Sequence, residues 1–197
     1  ARIRDYVAKT LNVVPEEAFR IQKDYYKRFG TTMRGMMSEH GIAADDFLAY
    51  VHQIDHTPLE PNPTMGAAIA RLPGRKLILT NGSTDHAGKV LARLGFHEHF
   101  EAVFDIVAAE FEPKPAPQTY QRFLARHEVD PARAAMFEDL ARNLTVPHQL
   151  GMRTVLVVPD GTKTVVREDW EMEGRDAPHV DYVTDDLTGF LTQLSAR

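Results

Sequence analysis

Three short stretches carry side chains with chemistry in them. In "EFEPKPAPQ", residues 110–118, Lys114 stands between Pro113 and Pro115. Proline fixes φ, lacks a backbone N–H and pushes the residue before it towards extended conformations, so Lys114 is expected on a stiff, non-helical loop. A lysine that must keep its ammonium at one point gains from that restraint; a solvent-facing lysine does not. In "LILTNGS", residues 77–83, an apolar run ends in Thr80, Asn81 and Gly82. A hydroxyl, an amide and a glycine-exposed backbone can together hold an anion such as phosphate. In "MFEDLARNL", residues 136–144, Glu138 and Asp139 stand side by side, with Asn143 one helical turn beyond Asp139. Adjacent like charges are unfavourable unless a cation or hydrogen-bond donors neutralise them, and two hard oxygen ligands suit Mg²⁺. Each stretch has a purely structural alternative: a rigid loop, a turn capped by Asn81 or Ser83, and a helix capped by Asp139.

The elements that would position these groups are legible as patterns. Residues 1–57 read as helices. Ile3, Tyr6, Val7 and Leu11 share one helical face, and a second helix opens at Pro15 with Glu16 and Glu17 and stops at Gly30. Shorter helices end at Gly41 and start near Asp45 and Asp46, and Met33, Met36 and Met37 are expected as packing within this bundle. Pro58, Pro61 and Pro63 then mark a linker without regular structure. After it, apolar, β-branched runs at 76–80, 102–109, 134–139, 153–159 and 180–186 alternate with helical stretches at 65–72, 84–95, 116–127 and 141–150. That alternation predicts an α/β fold: a parallel sheet with helices on both faces, plus a small helical unit. The boundary is expected near residue 60, with a helical domain over 1–60 and an α/β domain over 61–197. In such sheets ligands bind at the carboxyl ends of strands, and all three stretches fall there.

Composition narrows the field. The chain has 197 residues, 43% apolar and 26% charged, with a net charge of −5. No Lys/Arg cluster suits a nucleic acid polymer, and no apolar run approaches a membrane span. There is no cysteine, which excludes disulfides and thiolate chemistry and fits a reducing, cytoplasmic setting. His52 and His56 have a spacing zinc can use, but no third ligand stands nearby in sequence. "HEHF" at 97–100 reads as a loop, and "REDWEMEGRDAP", with the only tryptophan, as a surface excursion before the last strand.

Placed in order on one parallel sheet, these stretches resemble the haloacid dehalogenase superfamily of phosphohydrolases, the HAD superfamily. "LILTNG" with Thr80 matches its second motif, "KPAP" with Lys114 its third and "FEDLARNL" with Glu138 and Asp139 its fourth, while residues 1–57 resemble its helical cap. "YYKRFGTTMRGMM" together with "ILTNGS" and "FEDLARNL" looks most like the pyrimidine 5′-nucleotidase branch. One motif is missing. The family's D-x-D nucleophile motif is absent: Asp45–Asp46 is read in a helix, Asp105 within a strand and Asp185–Asp186 in the last strand region. The family's central strand would precede Ala1. Without it, the strands ending at Thr80 and Asp139 would carry unpaired backbone groups, so a longer natural N-terminus is expected.

The resemblance implies a Mg²⁺-dependent phosphomonoester hydrolase. An upstream aspartate would attack phosphorus and form an aspartyl phosphate. Asp139 with Glu138 would hold Mg²⁺, with Asn143 behind them. Thr80, Asn81 and Gly82 would bind phosphoryl oxygens, and Lys114 would stabilise the developing charge. The cap would close over the site, with Tyr25, Tyr26, Arg28 and Arg34 as candidates to contact a nucleotide leaving group. The implied partner is a small phosphomonoester, and the protein a monomer or homodimer. The alternatives are a sugar-phosphate mutase, halide displacement on the same fold, or a non-catalytic phospho-ligand binder if the 197 residues are the entire molecule.

Overall fold

The computed structural model describes residues 2–161 and 173–195. Residues 167–172 of the expected surface excursion, including Trp170, lie outside the described residues. The chain divides into two compact units: Ala1–Pro61 with Leu77–Pro113, and Asn62–Lys76 with Lys114–Arg197.

The first unit opens with four helices, α1 (Arg2–Leu11), α2 (Pro15–Phe29), α3 (Thr32–His40) and α4 (Ala44–Val51). Their ends follow the local chemistry. Pro15 stands in the first turn of α2, Gly30 ends that helix at φ 82°, Thr31 caps α3 by accepting from the Arg34 amide, and Gly41 ends α3 at φ 65°. The apolar faces meet in a core of Tyr6, Val7, Tyr25, Met33, Met36, Phe47 and Val51, with Met37 packed against it. α2 and α3 approach closely at Gly35, where an added Cβ would lie 2.5 Å from Tyr25 Cβ. No rotamer change relieves a clash with a Cβ. Gly35→Ala is therefore expected to destabilise the protein by about 1–3 kcal/mol, measured by denaturant unfolding.

The same unit continues with β1 (Leu77–Leu79), α6 (Thr84–Leu94), a single 3-10 turn at His97–His99 and β2 (Ala102–Phe104). β1 and β2 pair in parallel, Ile78 opposite Val103. β2 stops five residues before the expected end. From Asp105 the backbone coils through successive turns, with Glu110 and Phe111 at φ 55° and 60°. The Asp105 carboxylate accepts from the Ala108 amide at 2.9 Å, and this local bonding outcompetes the β-branched pair Ile106 and Val107. Ile106 is instead fully buried against the helical core.

The second unit holds α5 (Pro63–Arg71), α7 (Pro117–His127), β3 (Ala135–Glu138), α8 (Thr145–Gln149), β4 (Arg153–Val157), β5 (Tyr182–Thr184) and α9 (Leu187–Ser195). Pro63 does not break structure as expected: it occupies the first turn of α5, where its missing N–H costs nothing, and Asn62 caps that helix. The helix expected over 141–150 is split into a 3-10 turn at Ala141–Leu144 and α8. α9, which sequence patterning did not predict, packs on α5. β3, β4 and β5 form one parallel sheet around a core of Ala141, Leu144 and Leu156. Among the described residues the strands thus form two separate ladders, β1–β2 in the first unit and β3–β4–β5 in the second. No helix among the described residues is long and apolar enough to cross a membrane.

Candidate functional site

The residues singled out from the sequence fall into two groups, one in each unit. In the second unit, Lys114 is buried, 7% exposed, although it is a charged side chain on a loop. Its ammonium donates to Glu138 Oε2 at 2.8 Å, across 24 residues of sequence. Asn143 Nδ2 donates to the other oxygen, Oε1, at 2.6 Å. Both oxygens of Glu138 are therefore engaged, and the like-charge strain expected between Glu138 and Asp139 is relieved by a cation and a donor. Asn143 is held in turn by its backbone. The buried Tyr120 hydroxyl of α7 donates to the Asn143 carbonyl at 2.7 Å, and burial followed by the charge of Glu138 pushes the phenol pKa up. Asp139, the next residue after Glu138, is exposed.

The oxygen donors here suit a hard cation. Among the described residues no three His, Cys, Asp or Glu side chains are grouped to hold a metal. Mg²⁺ does not require such a group: it takes one or two carboxylates and fills its shell with waters and substrate oxygens. Asp139 supplies an exposed carboxylate. Asn143 Oδ1 is a buried acceptor without a hydrogen-bond partner, five residues from Glu138, to which its amide nitrogen is bonded. A buried acceptor of this kind is costly unless a water or another donor reaches it.

In the first unit, the loop after β1 is held from several sides. The Thr80 amide bonds to Phe104 O at 3.0 Å, Thr80 Oγ1 accepts from the Gly82 amide at 3.0 Å, and Gly82 O accepts from the Ile106 amide at 3.1 Å. Ser83 caps α6. Asp105, which sequence patterning placed inside a strand, lies one residue past β2 and accepts from the Thr84 amide and hydroxyl at 2.9 and 2.8 Å. Burial alone would raise its carboxyl pKa. The hydrogen bonds from Ala108 and Thr84 outweigh that and hold it below the usual carboxylate value. A depressed carboxyl stabilises the fold above its unfolded-state pKa and loses that contribution as pH falls through the lower folded value. Asp105→Asn should therefore cost about 1.5–3 kcal/mol at neutral pH, and the cost should shrink in acid below about pH 4, measured by urea unfolding at both pH values.

The candidates for leaving-group contact separate. Tyr25 is 9% exposed, its hydroxyl pairs with His40 Nε2 at 2.7 Å, and its ring belongs to the helical core. Tyr26 is half-buried. Arg28 pairs with Asp24 and Glu39 on the helical surface. Arg34 reaches Glu112, two residues before Lys114 in sequence, in an ion pair about one third exposed. His52 and His56 both meet a third histidine, His86.

Parallel strands whose carboxyl ends carry a hydroxyl–amide loop and a lysine–carboxylate cluster define an α/β protein of the kind that binds ligands at strand ends. A family model for haloacid dehalogenase-like hydrolases matches residues 4–151, and the chain belongs to that family. Solved structures share the fold. A HAD phosphatase from Thermococcus onnurineus superposes with a TM-score of 0.59 at 17% identity, over 98% of this chain and 86% of that one. L-2-haloacid dehalogenase from Xanthobacter autotrophicus gives 0.57 at 19% identity, over 98% and 91%. The HAD-type protein YfnB of Bacillus subtilis, in a magnesium-bound crystal form, gives 0.58 at 14% identity, over 98% and 90%.

Proposed function

We propose that the protein is a Mg²⁺-dependent phosphomonoester hydrolase acting on a nucleoside monophosphate, in the manner of the pyrimidine 5′-nucleotidase branch. The observation that carries this reading is the buried Lys114–Glu138–Asn143 cluster beside the exposed Asp139. Glu138 fixes the ammonium in a buried site, where a preorganised cation stabilises charge developing on a transferring phosphoryl group. Asp139, with Glu138 next to it, is the side chain on which Mg²⁺ would be held, and the ion would neutralise phosphoryl charge. Metal-free halide displacement needs no metal-holding carboxylate, and the adjacent Glu138 and Asp139 favour phosphoryl transfer over it.

Thr80 and the amides around Asn81 and Gly82 bind the phosphoryl oxygens, and their own hydrogen bonds hold the loop in shape. In this reading an aspartate attacks phosphorus and hydrolysis runs through its aspartyl phosphate. Arg34 and Tyr26 are the cap side chains proposed to meet the nucleoside, with Tyr25 supporting them from the core. In this reading the enzyme is cytoplasmic and a monomer or homodimer.

Product analysis tests this reading. The natural polypeptide, incubated with Mg²⁺ and either nucleoside monophosphates or hexose phosphates, is expected to release inorganic phosphate from the nucleotides. An isomerised sugar phosphate without phosphate release would assign it to mutase chemistry instead.

A further inference from the structure

Three histidines from distant parts of the first unit share one place. The His52 ring, at the end of α4, lies face to face on His86 of α6, with centroids 4.7 Å apart and planes 3° from parallel. His56 Nε2 is 3.2 Å from His86 Nδ1. His52 Nδ1 is 2.8 Å from Ser83 Oγ, the same oxygen that caps α6 by accepting from the His86 amide. His52 Nε2 lies 3.9 Å from the point where a Cβ on Gly82 would sit. The cluster thus ties residues 52–56, at the exit from the helical bundle, to the start of α6 and to the loop Thr80–Ser83.

We infer that this cluster is a proton-sensitive clasp, which holds residues 52–56 on the loop Thr80–Ser83 while it carries at most one proton beyond neutrality and releases them when it takes a second. The chemistry follows from the contacts. The His56–His86 hydrogen bond needs one facing nitrogen to donate and the other to accept, so two imidazolium rings present two donors to each other and the bond is lost. Two stacked imidazolium rings at 4.7 Å repel. Burial first, then the facing His86, hold the His52 pKa below the ordinary imidazole value; burial first, then His56, do the same for His86. The charges around them are mixed. Asp85 favours protonation and Lys89 opposes it, the two being paired with each other at 2.7 Å. Asp55 beside His56 is tied up by Thr57, and Arg93 donates to the Thr57 carbonyl. His52 is a positioning residue here, acting through Ser83.

A histidine whose pKa is lowered by folding contributes stability that is present above its unfolded value, about 6.5, and is lost as pH falls below it. Histidine ring resonances followed by NMR between about pH 8 and pH 5 read the cluster without any assay of activity. Both His52 and His86 are expected to titrate below the ordinary value. In His86→Phe, which keeps a stacking ring without its charge, His52 is expected to move up by about half a unit, and the loss of melting temperature in acid to shrink by several degrees. An unmoved His52, or an unchanged acid loss, overturns the clasp. Should His86→Phe not fold, His56→Asn gives the same comparison with His86 as reporter.

The consequence for catalysis rests on the phosphatase reading: the acid limb of kcat/KM should move to lower pH in His86→Phe. The two failures are distinct. Without phosphatase activity the titration still decides the clasp, and an unmoved acid limb in an active enzyme overturns the coupling alone.

Discussion

Lys114→Met is expected to lower kcat for phosphate release by about 10²- to 10³-fold, the usual cost of losing one preorganised donor to transition-state charge. It is also expected to destabilise the fold by about 3–5 kcal/mol, because Glu138 is left as a buried charge without its cation. The two effects have different causes and can be separated. The double variant Lys114→Met with Glu138→Gln removes both charges, so most of the stability should return while activity does not. Denaturant unfolding reads the first quantity and initial rates at saturating substrate the second. Recovery of activity in the double variant would show that Lys114 serves the fold alone.

Asp139→Asn should do the opposite. The side chain is exposed, so stability should change by no more than about 0.5 kcal/mol. Activity should fall by about two orders of magnitude or more, through lost charge neutralisation at the phosphoryl group, and the Mg²⁺ concentration for half-maximal rate should rise. Rates measured across a Mg²⁺ titration, beside a thermal melt of the same preparation, check both halves. An Asp139→Asn enzyme with an unchanged Mg²⁺ curve would remove Asp139 from the metal site.

The contrasting settings of these two adjacent carboxylates, Glu138 paired with its side chain buried and Asp139 exposed, were only half legible in the sequence. Adjacency says that something must neutralise Glu138 and Asp139, but not which oxygen meets which donor. The answer depends on Lys114 and Asn143, and the first of these is brought in by tertiary packing across 24 residues. The same limit hid the histidine cluster. His52 and His56 share a helical spacing that invites a metal reading, whereas His86 is placed against them by the packing of α6.

Elements governed by local rules were readable in advance. Pro15, Gly30 and Gly41 mark helix ends because their backbone preferences act within a few residues. The failures came where a local bond competed with a periodic pattern. Asp105 turns β2 into a coil by bonding its own neighbours despite a β-branched run, and Asp186 opens α9 by accepting from the Gly189 amide where the run of 180–186 suggested strand. α9 itself contains Thr188, Gly189 and Thr192, which are weak helix formers, and it is held by packing on α5 rather than by propensity.

The measurement that bears most directly on the proposed chemistry is phosphate release from a pyrimidine nucleoside monophosphate by the natural polypeptide. It should be run with and without Mg²⁺ beside halide release from a 2-haloacid. Phosphate release that requires Mg²⁺ and is lost in both Lys114→Met and Asp139→Asn is expected, with no halide released. Metal-independent halide release, or no phosphate release at any Mg²⁺ concentration, would contradict the proposed chemistry.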